Sequence, residues 1–165
     1  EAFQRARPIL QAVGRRITHV GPSGAGQVTK LANQLIVAQT IDAVAQALRL
    51  AELAGLDAAK VREALLGGFA ESRILALHGD RMARRDFRPG GRAELQLKDV
   101  RLICDLAASV GFHSPTLDTC RSQWETLVHE KGLGAVDHSG LFLLYDEPAS
   151  DHPAPSSLIG VGTGM

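Results

Sequence analysis

Aromatic residues are scarce: the 165-residue chain holds one Trp, one Tyr and five Phe, 4% of its length. Sandwiches and barrels draw their packing from aromatic and β-branched side chains, so this shortage, with Ala and Leu abundant, points to helices. Cysteine is scarcer still. Cys104 and Cys120 are too few for a disulfide framework and form no C-x-x-C pair, so the expectation is two free thiols in a cytoplasmic protein. Excess charge of one sign is also missing. Eighteen Lys+Arg balance eighteen Asp+Glu, the pI is near 7.3, and no nucleic-acid partner is expected. The six His and two Cys follow no metal-ligand spacing, and no metal is expected. Glu1-Ala2-Phe3-Gln4-Arg5 is amphipathic and is followed by no apolar run of the secretory kind.

What is present is one domain's worth of apolar sequence. Hydrophobic residues make up 45% of the chain, which excludes intrinsic disorder, and roughly this length buries about two thirds of its unfolded surface without a staple. Residues 1–14 read as the end of an amphipathic helix. Ile17-Thr18-His19-Val20 is the one β-type run, closed by Gly21-Pro22-Ser23-Gly24-Ala25-Gly26. Residues 27–54 form one long helical segment whose only charge between Lys30 and Arg49 is Asp42, with apolar residues on every face. Asn33, Gln34, Gln39, Asp42 and Gln46 interrupt it too often for a membrane span, so it reads as a buried central helix. Further helices are expected from Asp57, over 71–86, over 94–110, from Ser114-Pro115 to about Glu130, and over 138–146. The fold class is all-α: a bundle around one long central helix, with a strand remnant at the front. Residues 149–165, rich in Ser, Pro and Gly, read as a disordered tail.

Chemistry concentrates at the start of the long helix. The strand–glycine–helix segment superficially resembles a dinucleotide fingerprint, but its third glycine is Thr29 and no second strand follows. It also lacks the Lys-Ser/Thr of a phosphate loop. Lys30 is more informative. Burial and the positive end of a helix dipole would both favour its neutral form, which suits a general acid. Asn33 and Gln34 follow three and four residues later, on the same face. The competing reading is a snorkelling lysine with two amides satisfied by neighbouring helices. Lys98-Asp99 by itself reads as a solvated ion pair. Asp137-His138-Ser139 reads as the cap of the last helix, because adjacent residues cannot form a relay. Arg81, Arg84, Arg85, Arg88 and Arg92 read as a solvated basic face.

Taken together, these residues resemble a known family. Gly21 to Gln34 follows the G-x-x-G-x-G-x-x-x-K-x-x-N-[NQ] signature of the β-hydroxyacid dehydrogenases. The likeness continues through Gly67-Gly68-Phe69-Ala70-Glu71-Ser72, Phe87-Arg88-Pro89-Gly90, Leu97-Lys98-Asp99 and Gly132 to Ser139. The resemblance implies an enzyme of two domains, a Rossmann domain holding NAD or NADP and an all-α domain that also forms a homodimer or homotetramer. Under it, Lys30 is the catalytic general acid/base, Asn33 and Gln34 bind substrate, and Lys98 and Phe87 lie beside the cofactor. Gly91 stands where close relatives carry Phe. The substrate is expected to be a small β-hydroxy acid or semialdehyde. The strings are most similar to the branch that reduces 2-hydroxy-3-oxopropanoate to glycerate, with 3-hydroxyisobutyrate oxidation, or a non-catalytic dimerisation module, as the alternatives. Residues 1–22 are then the end of the nucleotide-binding domain, 23–148 the helical domain, and the chain a piece of the enzyme, inactive alone.

Overall fold

The computed structural model describes residues 1–146. It contains α1 (Ala2–Val13), α2 (Ala25–Leu53), α3 (Ala58–Leu65), α4 (Arg73–Arg84), α5 (Ala93–Ser109) and α6 (Pro115–Glu125). A π-helical turn, Thr126–Glu130, extends α6, and a 3-10 helix, His138–Leu144, closes the described chain. The starts of α3 and α6 have the local chemistry the sequence announces, and that of α4 has a cap of the same kind. Asp57 caps α3 by accepting from the N–H groups of Ala59 and Lys60, Ser72 caps α4, and Ser114 caps α6 with Pro115 at its first position.

Two expectations about local structure fail. Ile17–Val20 forms no strand, because no second strand among the described residues lies beside it and a lone strand has no ladder to join. The segment from Ser114 does not stay α-helical to Glu130 but widens into the π turn after Glu125. The expected tail, 149–165, lies outside the described residues.

The core forms around the C-terminal half of α2. Ala38, Ile41, Val44, Ala45 and Leu48 of this helix are buried, and α3, α4, α5, α6 and the 3-10 helix all pack on it. Trp124, Phe142, Leu141, Leu127, Met82, Leu97 and Val100 close the same cluster, each large side chain contributing roughly 1.5–3 kcal/mol of burial. The N-terminal half is less covered than an all-round apolar helix leads one to expect. Val28 and Ile36 stay exposed, as do Leu50 and Leu53 near the far end. Gly24, with φ +93°, admits the chain to α2 through a turn that disfavours a side chain. Helix α1 buries no residue and packs on none of the other helices; its Phe3 ring stacks on His19.

Of the arginines expected to form a solvated face, Arg84, Arg88 and Arg92 are exposed while Arg81 and Arg85 are partly sheltered, and all five pair within the chain. Arg81 meets Asp137, Arg84 meets Asp80, Arg88 meets Asp86, and Arg92 meets Glu94. Arg85 holds both Glu52 at the end of α2 and Asp146 beyond the 3-10 helix, with its guanidinium 4.3 Å above the Phe142 ring.

Candidate functional site

Helices α2 and α5 cross so that the first turns of α2 face one flank of α5, and a strip of polar side chains fills the seam. Its centre is Asp99. The carboxylate is largely sheltered, at 15% side-chain exposure. Its Oδ1 lies 2.9 Å from Lys98 Nζ, and its Oδ2 lies 3.6 Å from Lys30 Nζ and accepts from Gln34 Nε2 at 2.7 Å. Burial alone would raise the Asp99 pKa, but the hydrogen bonds from Lys98 and Gln34 and the charge of Lys30 hold it below the ordinary carboxylate value. An ionised carboxylate therefore sits between two ammonium groups.

The amides continue outward and inward from this centre. Asn33 Nδ2 donates to Gln34 Oε1 at 3.0 Å on the exposed side. On the inner side, Gln34 Nε2 also points to Oε1 of the buried Gln96 at 3.4 Å, and Gln96 Nε2 reaches the Gln34 main-chain oxygen at 3.5 Å. Lys30, Asn33 and Gln34 are thus brought together, as the helical spacing suggests, and Lys98 joins them through Asp99. Lys30 differs from expectation in one respect: its side chain is 55% exposed. Phe87 is not part of the group. Its ring is half-buried against the main core and stacks on Phe142 at 6.5 Å.

Two members escape a sequence reading. Asp99, taken alone, looks like half of a solvated pair, and Gln96 looks like any helix residue. The available signal was their i, i+3 spacing, which places both on the flank of α5 next to its buried positions 97, 100 and 103.

A second polar cluster lies elsewhere, where the residues before α5 meet those before the 3-10 helix. Asp137 is 1% exposed. Its Oδ1 accepts from Ser139 N and Oγ, and its Oδ2 accepts from Gly90 N and Gly91 N, with Arg81 Nη1 3.4 Å away. The Asp137 main chain donates to Phe87 O, and His138 donates to Gly91 O. The Asp-His-Ser string thus caps the last helix as read, and it also clasps the 87–91 loop. Burial works to raise the Asp137 pKa, but the His78 ring, Ser139 and the loop N–H of Gly90 hold the carboxyl far below its usual range. His138 lies edge-on to His78 at 4.4 Å, and burial together with His78 pushes its pKa down.

His78, Asp137 and His138 bring three potential ligand atoms within 4.8 Å of one another, a grouping invisible in sequence because α4 supplies one of them. The carboxylate is nevertheless filled by four hydrogen-bond donors and faces Arg81. That set describes a clasp better than a metal centre.

Among the described residues no helix is long and apolar enough to cross a membrane. Residues 24–145 match a family profile described as NAD-binding of NADP-dependent 3-hydroxyisobutyrate dehydrogenase. The 2-hydroxy-3-oxopropionate reductase of Escherichia coli is 44% identical over 139 residues, covering 84% of this chain and 47% of that protein. An NAD-dependent L-serine dehydrogenase of Pseudomonas aeruginosa is 30% identical over 153 residues, 88% of this chain and 51% of the relative. The crystal structure of 3-hydroxyisobutyrate dehydrogenase from Salmonella typhimurium superposes with a TM-score of 0.80 at 26% identity, covering 87% of this chain and 50% of that one. The chain spans about half the length of the curated relatives it matches.

Proposed function

The chain belongs to the 3-hydroxyisobutyrate dehydrogenase family, whose cofactor class is NAD(P), and from that premise we propose that it is the helical part of a reductase converting 2-hydroxy-3-oxopropanoate to glycerate. The 44% identity to an enzyme of that name supports this substrate over 3-hydroxyisobutyrate. In this reading residues 1–22 belong with the nucleotide-binding domain, and 23–148 form the unit that carries the acid/base.

The observation that carries the reading is the position of Lys30. Its ammonium is exposed, and it stands 3.6 Å from an ionised Asp99 that fixes its direction. The cofactor, when bound, supplies a hydride to the aldehyde carbon. Lys30 donates its proton to the carbonyl oxygen, which becomes the new primary hydroxyl. In the reverse direction Lys30 accepts that proton back. Lys98, 62% exposed beside Asp99, offers a second ammonium donor of the kind that suits phosphate or carboxamide oxygens of a dinucleotide. Asn33 and Gln34 orient the substrate. Phe87 serves from behind, since its main-chain oxygen anchors Asp137.

The outward side of α2, with Ile36, Leu50 and Leu53 exposed, is the surface we assign to contact with a second copy of the chain. Size-exclusion chromatography with light scattering tests it, and a monomer at micromolar concentration would refute it.

The catalytic assignment is tested by Lys30→Ala in the protein that carries this chain. Turnover of 2-hydroxy-3-oxopropanoate should fall by about 10²–10⁴, the usual worth of a positioned general acid, while nucleotide affinity is retained. If nucleotide affinity falls and turnover persists, Lys30 is a cofactor residue.

A further inference from the structure

We infer that the side-chain amides of Gln96, Gln34 and Asn33 form a directional relay, anchored on Asp99, that leaves Asn33 Oδ1 as a hydrogen-bond acceptor facing the substrate. The site then selects semialdehydes that carry a hydroxyl, rather than an alkyl group, beside the reacting carbonyl. The selectivity rests on the reductase reading above; the relay itself does not.

A carboxamide has an accepting end and a donating end, and its neighbours decide which way it turns. Two neighbours here can only accept. One is the Asp99 carboxylate, 2.7 Å from Gln34 Nε2. The other is the Gln34 main-chain oxygen, 3.5 Å from Gln96 Nε2. The second contact turns Gln96 Oε1 towards Gln34, where Nε2 meets it at 3.4 Å. Turning Gln34 over would set its oxygen against both the carboxylate and Gln96 Oε1. Two independent contacts therefore fix one orientation, with Gln34 Oε1 directed at Asn33.

Asn33 must then answer with its nitrogen. Its Nδ2 donates to Gln34 Oε1 at 3.0 Å, which leaves Oδ1 on the exposed side of the same turn that carries Lys30. A molecule bound there meets a donor at Lys30 Nζ and an acceptor at Asn33 Oδ1. A hydroxyl satisfies that acceptor, an alkyl group leaves it without a donor, and a carboxylate is repelled by it. Lys98 adds support by holding the other oxygen of Asp99 at 2.9 Å. Gln34 is the long arm of the relay: Gln34→Asn removes one methylene and with it the reach to Asp99.

The test compares 2-hydroxy-3-oxopropanoate with 2-methyl-3-oxopropanoate as substrates of the protein that carries this chain. Wild type should favour the hydroxy compound by about 10²-fold or more in kcat/KM, as sites built to bond a substrate hydroxyl do. Gln34→Leu frees the Asn33 amide to rotate and should reduce that preference at least about tenfold. Equal use of the two semialdehydes by wild type, or an unchanged preference in Gln34→Leu, overturns the selectivity but leaves the reductase reading standing. Failure to reduce either compound overturns the reductase reading and the selectivity with it. Neutron diffraction from crystals of the 165-residue chain decides the relay separately, without any variant having to fold. Deuterium density on Asn33 Nδ2 facing Gln34 is the expected result, and Oδ1 facing Gln34 refutes the relay.

Discussion

Lys30 and Asp99 face each other at 3.6 Å across the seam between α2 and α5. The pair ties the proposed proton donor to a helix whose own inner face is locked in the core by Leu97, Val100 and Ile103. A lysine on an exposed turn otherwise samples many rotamers, so a partly buried counter-ion converts a floppy acid into a directed one.

Replacing Asp99 by Asn should therefore lower turnover by roughly ten- to a hundredfold, with nucleotide affinity retained, because Lys30 loses its direction. In the 165-residue chain the same change should cost only about 1 kcal/mol, since Asn can still accept from Gln34. Steady-state kinetics and urea denaturation separate the two effects. A stability loss equal to that of deleting a core side chain would show that Asp99 serves the fold instead.

Asp137→Ala is expected to be far more damaging, about 3–5 kcal/mol, because it strands Arg81 and the N–H groups of Gly90, Gly91 and Ser139 around an emptied site. The acid limb carries the signature of the intact residue. Its folded pKa is depressed, so the stabilisation is complete above the unfolded value near 3.9 and is lost as pH falls through the lower folded value. Asp137→Asn should remove that limb in pH-dependent denaturation.

His138 adds a second, higher step. Its folded pKa lies below the ordinary 6.5, so the unfolded chain takes up a proton before the folded one does. Stability should be full above about pH 7 and decline as pH falls from there towards the folded pKa. His138→Gln should flatten this window while leaving the acid limb of Asp137 in place. A curve unchanged between pH 7 and 5, roughly the range of histidine titration, would contradict the assignment.

Arg85 combines a left-handed backbone, φ +53°, with contacts to Glu52, Asp146 and Phe142. Arg85→Ala loses those contacts and keeps the backbone strain, and it should cost about 2 kcal/mol. Arg85→Gly loses the same contacts but relieves the strain, so it should be the milder variant by about 1 kcal/mol. If alanine proves the milder replacement, the helix end has rearranged.

These residues also show what a sequence makes legible. Caps, breaks and the long α2 are local events, decided by residues within a turn of one another, and Asp57, Ser114 and Pro115 announce them directly. The Lys30–Asn33–Gln34 face follows from helical spacing in the same way. The rest depends on which surfaces meet. Asp99 became an anchor because α5 crosses the first turns of α2, and His78 approached Asp137 because α4 lies beside the last loop. Of the five arginines, Arg84, Arg88 and Arg92 pair with acids near in sequence, whereas Asp137 reaches Arg81, and Glu52 and Asp146 reach Arg85, only through the fold. Ile17–Val20 carried a strand signal with no neighbour to complete it.

The long α2 has a mechanical consequence. Leu48 is clamped in the core, and Lys30 stands eighteen residues away on the same continuous rod, about 27 Å at 1.5 Å per residue. A tilt of one degree about the clamp sweeps the ammonium through about 0.5 Å along that lever, a displacement of the size that matters for proton transfer. Under the proposed role of Lys30, repacking at Ala45 or Leu48 would therefore shift its ammonium along the helix itself, which makes distant core positions adjustment screws for the proposed chemistry.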